Sequence, residues 1–325
     1  MRRPALLLVL PLLLAAGCAS NGTDPSASSG ADPSGVPSGR SHRAEEFDRR
    51  ATEVAKAWQP GPDWRTRYVP LEGPTMLTGD PHFTPDTEAA FRAGWYREQV
   101  AIPPTRVGDD IRFPDGRLTL PLVSAAEAYR QLDQGDPLPC PGRPKRPGLP
   151  TPGGPTVEPG PDGWASSTTQ TACLSLTVTG VTFGAVPVQT SRGEAQVPAW
   201  LFTIKELATP VARLAVASTA VTPVPEPTAP TRPLPDGLVA AQDLAALDGA
   251  RLTVRLGVGA CDSGITPLVW ERPDVVVVGG SITPATGLCP AVLKLEPVTV
   301  TLAAPLGARP VLDVFTGAPL SMAPR

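Results

Sequence analysis

The sequence predicts an α+β N-terminal domain followed by a small all-β C-terminal domain, a sandwich or partial barrel, on three observations. Helical apolar patterns come first, at 44–58, 84–95 and 124–135, and alternating patterns dominate from 174 onward. Between them and the last stretch lies 221–235, with prolines at 223, 225, 227, 230, 233 and 235. That is an extended, polyproline-like strap, poor at entering a sheet interior. Four cysteines fall two and two on either side of it. The expected plan is an α+β domain over 41–220, a Pro-rich linker over 221–235 and an all-β domain over 236–325.

The first helix carries Ala44, Phe47, Ala51, Val54, Ala55 and Trp58 on one face, with Ser41 as a cap and Gln59-Pro60-Gly61 as the stop. A shorter helix follows, with Thr84 as cap, Pro85 in the first position and Phe91 and Trp95 facing inward. Pro114-Asp115-Gly116 between Ile111-Arg112-Phe113 and 117–120 signals a hairpin. Ser124 with Glu127 three residues on forms a capping box for a third helix ending near Gly135. Residues 136–163 read as a long Pro/Gly loop. Strands are expected at Leu174, Leu176 and Val178, at 181–188, at 197–204 beyond a turn at Ser191-Arg192-Gly193, and at 211–216. In the last domain Asp248-Gly249 is a hairpin turn between 238–247 and 251–258. Further strands are expected at 268–270, 275–278, 298–302 and 311–314. The run 275–278 is apolar on both faces, which predicts a central strand.

The N-terminus supplies an address. Met1-Arg2-Arg3, an apolar run from Pro4 to Leu14 and Ala15-Ala16-Gly17-Cys18 have the layout of an export signal, and the run is far shorter than the roughly 20 residues a spanning helix needs. The small residues before Cys18 resemble the bacterial lipobox, with Ala15 where Leu is commonest. That resemblance implies cleavage of a 1–17 signal peptide and lipidation of Cys18. Residues 18–40, built of Ser, Gly, Pro, Asp, Ala and Thr, then read as a disordered tether.

Composition narrows the function classes. Loss of Arg2 and Arg3 leaves 26 basic residues against 31 acidic ones, a mildly acidic balance with no basic footprint for nucleic acid. Basic residues are nearly all Arg, and Asn occurs once, at Asn21. With the abundance of Ala, Gly and Pro, this resembles the usage of a high-GC actinobacterial genome. Cys140, Cys173, Cys261 and Cys289 are an even set in an exported chain, which favours two disulfides. Three pairings exist, and the Pro-rich strap favours the local ones, Cys140–Cys173 and Cys261–Cys289. The rival zinc reading lacks a C-x-x-C spacing, and only two histidines exist.

No catalytic set emerges from the motifs, and no cofactor or metal is expected. Cys261-Asp262-Ser263-Gly264 resembles the Asp-Ser-Gly around a trypsin-like nucleophile. It departs at Cys261 and Ile265 and lacks a histidine in a matching context, so it reads as a turn. Asp80, His82 and Asp86 have acid–base potential, but Asp80-Pro81 and Thr84-Pro85-Asp86 equally make a turn and a helix start. Gly257-Val258-Gly259 lacks the third glycine of a dinucleotide loop. Arg143, Lys145 and Arg146 read as a solvated basic knot, and Trp58, Trp64, Trp95, Trp164 and Trp200 as core or rim aromatics.

Longer segments carry a family resemblance. Val197-Pro198-Ala199-Trp200-Leu201-Phe202-Thr203 with Thr209-Pro210-Val211-Ala212-Arg213 is one. Gly259-Ala260-Cys261-Asp262, Val269-Trp270-Glu271, Cys289 and Pro305-Leu306-Gly307-Ala308-Arg309-Pro310-Val311-Leu312-Asp313 make the other. Both resemble uncharacterised actinobacterial secreted lipoproteins, over about half of the mature chain. The resemblance implies an envelope location and a Cys261–Cys289 pair, and it implies no activity. The last segment reads as a closing strand, with Arg309 and Asp313 paired.

These readings point to a membrane-anchored extracytoplasmic lipoprotein, a non-enzymatic binding or accessory module. Its expected partners are the membrane, through the lipid, and an envelope protein or wall ligand. The alternatives are a surface hydrolase, which requires at least two of Asp80, His82, Asp262, Glu271 and Asp313 to converge in a pocket, and a regulatory or sensor lipoprotein.

Overall fold

The computed structural model describes residues 39–104, 110–136, 174–227 and 233–324. Strands dominate it, arranged in two curled sheets on either side of the Pro-rich stretch. Cys18, Cys140, Cys173, Trp164 and the basic residues Arg143, Lys145 and Arg146 lie outside the described residues, as do residues 1–38, on which the expected signal and tether fall.

The first sheet is assembled from β1 (Thr75–Leu77), β2 (Tyr96–Glu98), β3 (Asp110–Phe113), β4 (Gly116–Thr119), β5 (Leu176–Thr190), β6 (Gly193–Ile204) and β7 (Val211–Leu214). Its order is β1-β7-β6-β3-β4, with β5 also on β6 and β2 parallel on β5. The separate strands expected at 174–178 and 181–188 are one 15-residue strand, β5. A register shift between Val178 and Gly180 absorbs the break in alternation, so pairing with β6 continues through it. The turn at Ser191-Arg192-Gly193 is confirmed, with Gly193 at φ 89°.

Two short helices pack on this sheet. The helix α3 (Pro85–Ala93) starts with Thr84 Oγ1 accepting from Thr87 N while Thr87 Oγ1 accepts from Thr84 N. The helix α4 (Ala125–Leu132) starts with Ser124 Oγ accepting from Glu127 N, and it buries Ala125, Ala128, Tyr129 and Leu132.

The second sheet comprises β8 (Leu238–Asp248), β9 (Arg251–Gly259), β10 (Ser263–Glu271), β11 (Val276–Thr283), β12 (Leu293–Thr301) and β13 (Val311–Asp313), in the order β10-β11-β8-β9-β12. The edge strands β10 and β12 approach one another, and Ala303 N donates to Glu271 Oε1 across the gap. As its sequence implies, β11 is central: β10 flanks one side, β8 and the parallel β13 the other. Val276 and Val278 face the interior with Leu252, Val254 and Leu256, while Val275 and Val277 face a second core.

That second core is completed by the N-terminal helix α1 (Gly39–Ala57). Phe47, Ala51, Val54 and Ala55 pack against Leu238, Val277, Leu312 and Val314. The helix starts two residues before Ser41, and its apolar face covers the second sheet rather than the first. Arg50 fixes it there, donating to the carbonyls of Val314 (3.2 Å) and Phe315 (2.9 Å). The C-terminal segment crosses in return: Met322 N donates to Leu71 O at 2.7 Å. Gly39–Arg325 accordingly forms one compact unit.

Candidate binding cleft at the junction of the sheets

A cleft of about 540 Å³ opens where loops of both sheets meet the end of α1. The helix stops at Ala57, Gly61 turns the chain at φ 75°, and a single turn, α2 (Asp63–Thr66), follows. This sequence of stop, glycine and turn sets Trp64 edge-on to Trp58, with ring centroids 5.2 Å apart. Trp64 is anchored: it is 4% exposed, and its carbonyl accepts from Ser191 Oγ at 2.6 Å. Trp58 stays half-buried at the rim.

Three arginines line the same cleft, and two are held rigidly. Arg192, in the β5–β6 turn, lies 3.9 Å over the Phe113 ring and donates to both oxygens of Asp115 at 2.6 and 3.1 Å. Such a forked pair fixes orientation as well as charge. Arg309, in the β12–β13 connection, donates to Glu271 Oε2 at 3.1 Å and to the carbonyls of Arg272, Ala304 and Pro305. Arg65, on α2, is exposed, and its guanidinium has no partner among the described residues. Pro60, Pro273 and Pro310 supply rigid apolar wall between these charges. The one hydroxyl in the lining, Ser191, is engaged with Trp64 and has no base beside it among the described residues. The arrangement suits binding: indole and proline surface with one available cation.

Of the residues singled out for hydrolytic chemistry, only Asp80 and His82 come together, with Nε2 3.7 Å from Oδ2 on exposed surface rather than in a pocket. Asp80 and His82 share an exposed loop, where Asp80 Oδ1 accepts from His82 N at 2.9 Å, and Asp86 lies in the first turn of α3. Asp262 closes a turn, accepting from Gly259 N at 2.7 Å and Ala285 N at 3.4 Å. Glu271 pairs with Arg309. Asp313 is buried, and its carboxylate accepts from Ala241 N, Thr316 N and Thr316 Oγ1. The expected Arg309–Asp313 pair is therefore replaced. Arg309 lies outside β13, in reach of Glu271, while Asp313 is turned into the buried interior.

Cys261 and Cys289 are joined, with Cα atoms 6.1 Å apart. No group of His, Cys, Asp or Glu among the described residues is arranged to hold a metal ion. No helix there is long and apolar enough to cross a membrane.

A smaller cavity of about 310 Å³ lies against the first sheet, lined by Tyr68, Glu72, Gln131 and Arg213. Arg213 donates to Thr75 Oγ1 at 2.7 Å and Gln131 Oε1 at 3.2 Å, and burial lowers its pKa. Burial, reinforced by the charge of Glu72, raises that of the Tyr68 phenol.

Comparison of the chain with family models, curated proteins and solved structures gives no match.

Proposed function

We propose that this chain is a lipoprotein held at the extracytoplasmic face of the membrane through Cys18, where it serves as a non-enzymatic binding or accessory module of the cell envelope. The junction cleft is its ligand surface. The observation that carries the reading is the make-up of that cleft: a rigid indole–proline wall, two guanidinium groups locked by carboxylates and carbonyls, and Arg65 left available beside them. Pre-set apolar surface with few polar anchors is how binding sites gain specificity at low ordering cost. The lining cation favours an envelope ligand that presents a carboxylate or phosphate next to an apolar face. The export signal and lipobox resemblance support the location.

Site-directed photocrosslinking from position 308, exposed in the cleft lining, tests the binding role in the native envelope. A defined partner should be captured there and not from Thr299 on the far face of β12. Arg65→Glu should reduce capture by about tenfold, the effect of reversing one charge-assisted contact. Capture insensitive to Arg65→Glu and to Trp58→Ala removes the cleft from the mechanism. Metabolic labelling with palmitate tests the anchor independently, and absence of label on Cys18 defeats it.

A further inference from the structure

The described surface carries five exposed large apolar residues, and four of them, Leu288, Val292, Leu293 and Leu295, are in one segment leading into β12. Leu288 is fully exposed at 108% and Leu293 at 66%. The pairing register explains why nothing covers them. Leu293 stands opposite Gly259 and Leu295 opposite Gly257, so the neighbouring strand offers no side chain on that face. The segment is nonetheless held in place. The Cys261–Cys289 disulfide staples it to the β9–β10 turn, Asp262 accepts from Ala285 N, and Lys294 Nζ donates to Ala260 O at 3.0 Å. A fixed, water-facing cluster of leucines is not an ordinary loop tip.

Its position relative to the incoming chain identifies what it meets. Residue 39 begins α1, and Arg43, one turn later, lies over Gly237 and the Ile282 carbonyl: a Cβ at Gly237 would be 3.0 Å from Arg43 Cδ and 3.1 Å from that oxygen. Ile282 is paired into the end of β11, where Thr283 faces Ser263, next to the disulfide turn. The chain from Cys18 thus enters the folded unit at the same end of the second sheet as the leucine cluster. The Trp58–Trp64 cleft sits at the opposite end of α1, about 28 Å away for 19 residues at 1.5 Å each. Cys18 precedes Gly39 by 21 residues, a length of chain that reaches at most about 70–75 Å. A lipid fixed at Cys18 holds this end of the protein within that distance of the bilayer.

We propose that the Leu288–Leu295 segment is a second membrane contact, inserting its leucines into the interfacial region of the bilayer that carries the lipid anchor. The inference rests on the lipoprotein reading. A lipid anchor at Cys18 keeps nearby surface at high effective concentration beside the bilayer, so that even a weakly inserting apolar element engages it. The consequence is orientation: the leucine end faces the membrane, and the cleft faces away from it.

The test uses the full mature chain with Cys18→Ser, so that no acyl chain contributes, and vesicles of equal parts phosphatidylcholine and phosphatidylglycerol. The chain should co-sediment with vesicles in proportion to lipid concentration, and raised salt should leave most of the binding in place. Leu288→Ser with Leu293→Ser, both at exposed positions, should weaken partitioning at least about tenfold while the thermal melt is unchanged. A chain that stays in the supernatant at all lipid concentrations overturns the proposal, as does partitioning indifferent to the two serines. Self-association in the absence of lipid, abolished by the same substitutions, assigns the patch to a second copy of the chain and overturns it too. Failure of palmitate labelling defeats the anchor alone, because vesicle binding of the Cys18→Ser chain is read without it.

Discussion

At the residue scale, Asp313 shows how a conspicuous acidic residue can be structural. Its carboxylate lies inside the second sheet with three donors aimed at it, from Ala241 N, Thr316 N and Thr316 Oγ1. Desolvation is the largest influence and raises its pKa, with those hydrogen bonds opposing the shift. The folded state therefore holds the proton more tightly than the unfolded chain, whose carboxyl titrates near 3.9. The sign follows: this contribution to stability is fully present below the unfolded value and is lost as pH rises through the raised folded value. Asp313→Ala should destabilise the protein by about 2–3 kcal/mol at neutral pH, because two buried N–H groups lose their acceptor. The gap between the parent and this variant should widen as pH falls from neutral toward the carboxylate range. Urea midpoints across that range check it, and a constant or narrowing gap contradicts the burial argument. Arg309 carries the opposite lesson. It stands four residues from Asp313 in sequence, yet Glu271 and the carbonyls of Arg272, Ala304, Pro305 and Leu306 hold it at the cleft.

At the element scale, β11 organises the second sheet because both of its faces are buried. Positions 276 and 278 face the sheet interior, and 275 and 277 face α1. Gly279 and Gly280 continue that alternation where neighbours come closest. A Cβ on Gly279 would lie 2.6 Å from Val314 Cγ1 and 3.1 Å from Val239 O, and one on Gly280 would lie 2.3 Å from Leu256 Cδ1. The carbonyl of Val239 is backbone and cannot rotate away. Gly279→Ala should therefore destabilise by about 1–3 kcal/mol. Gly73→Ala, whose Cβ would meet only Thr75 O at 3.9 Å, should change stability by less than about 0.5 kcal/mol. Denaturant midpoints of the two variants give the comparison, and equal effects would refute the close-packing account. The same strand marks what was legible beforehand. Its doubly apolar run announced a central position, and Thr84-Pro85, Ser124 and Asp248-Gly249 announced their caps and turn, since each signal is local. The three-residue strands β1 and β2 were not visible, because they exist only through pairing with β7 and β5, more than 75 residues away in sequence. The amphipathic stripe of α1 showed that one face is buried and could not show against what. The cleft was invisible for a related reason: Trp58, Arg192 and Arg309 converge from separate loops, and no spacing connects them.

At the scale of the whole molecule, the position of α1 decides whether the C-terminal sheet can stand alone. Phe47, Ala51, Val54 and Ala55 are all buried against Leu238, Val277, Leu312 and Val314, and without them that face of β11 is open to water. Full burial of an apolar side chain contributes about 1.5–3 kcal/mol, so the helix face supplies an amount comparable with the net stability of about 5–15 kcal/mol typical of a domain. Arg50 adds bonds to the carbonyls of Val314 and Phe315 that only α1 can provide. The closing segment depends on the other sheet as well, through Met322 N and Leu71 O. A fragment of residues 236–325 should therefore lack a cooperative thermal transition, even with the Cys261–Cys289 disulfide formed. Residues 39–325 should melt as a single unit. Addition of a peptide spanning 39–60 to the fragment should restore part of the transition, since that peptide carries the missing wall. Calorimetry distinguishes the cases. A fragment that melts cooperatively near the temperature of the parent would show that the second sheet is self-sufficient, and that α1 is an ornament on it rather than half of a core.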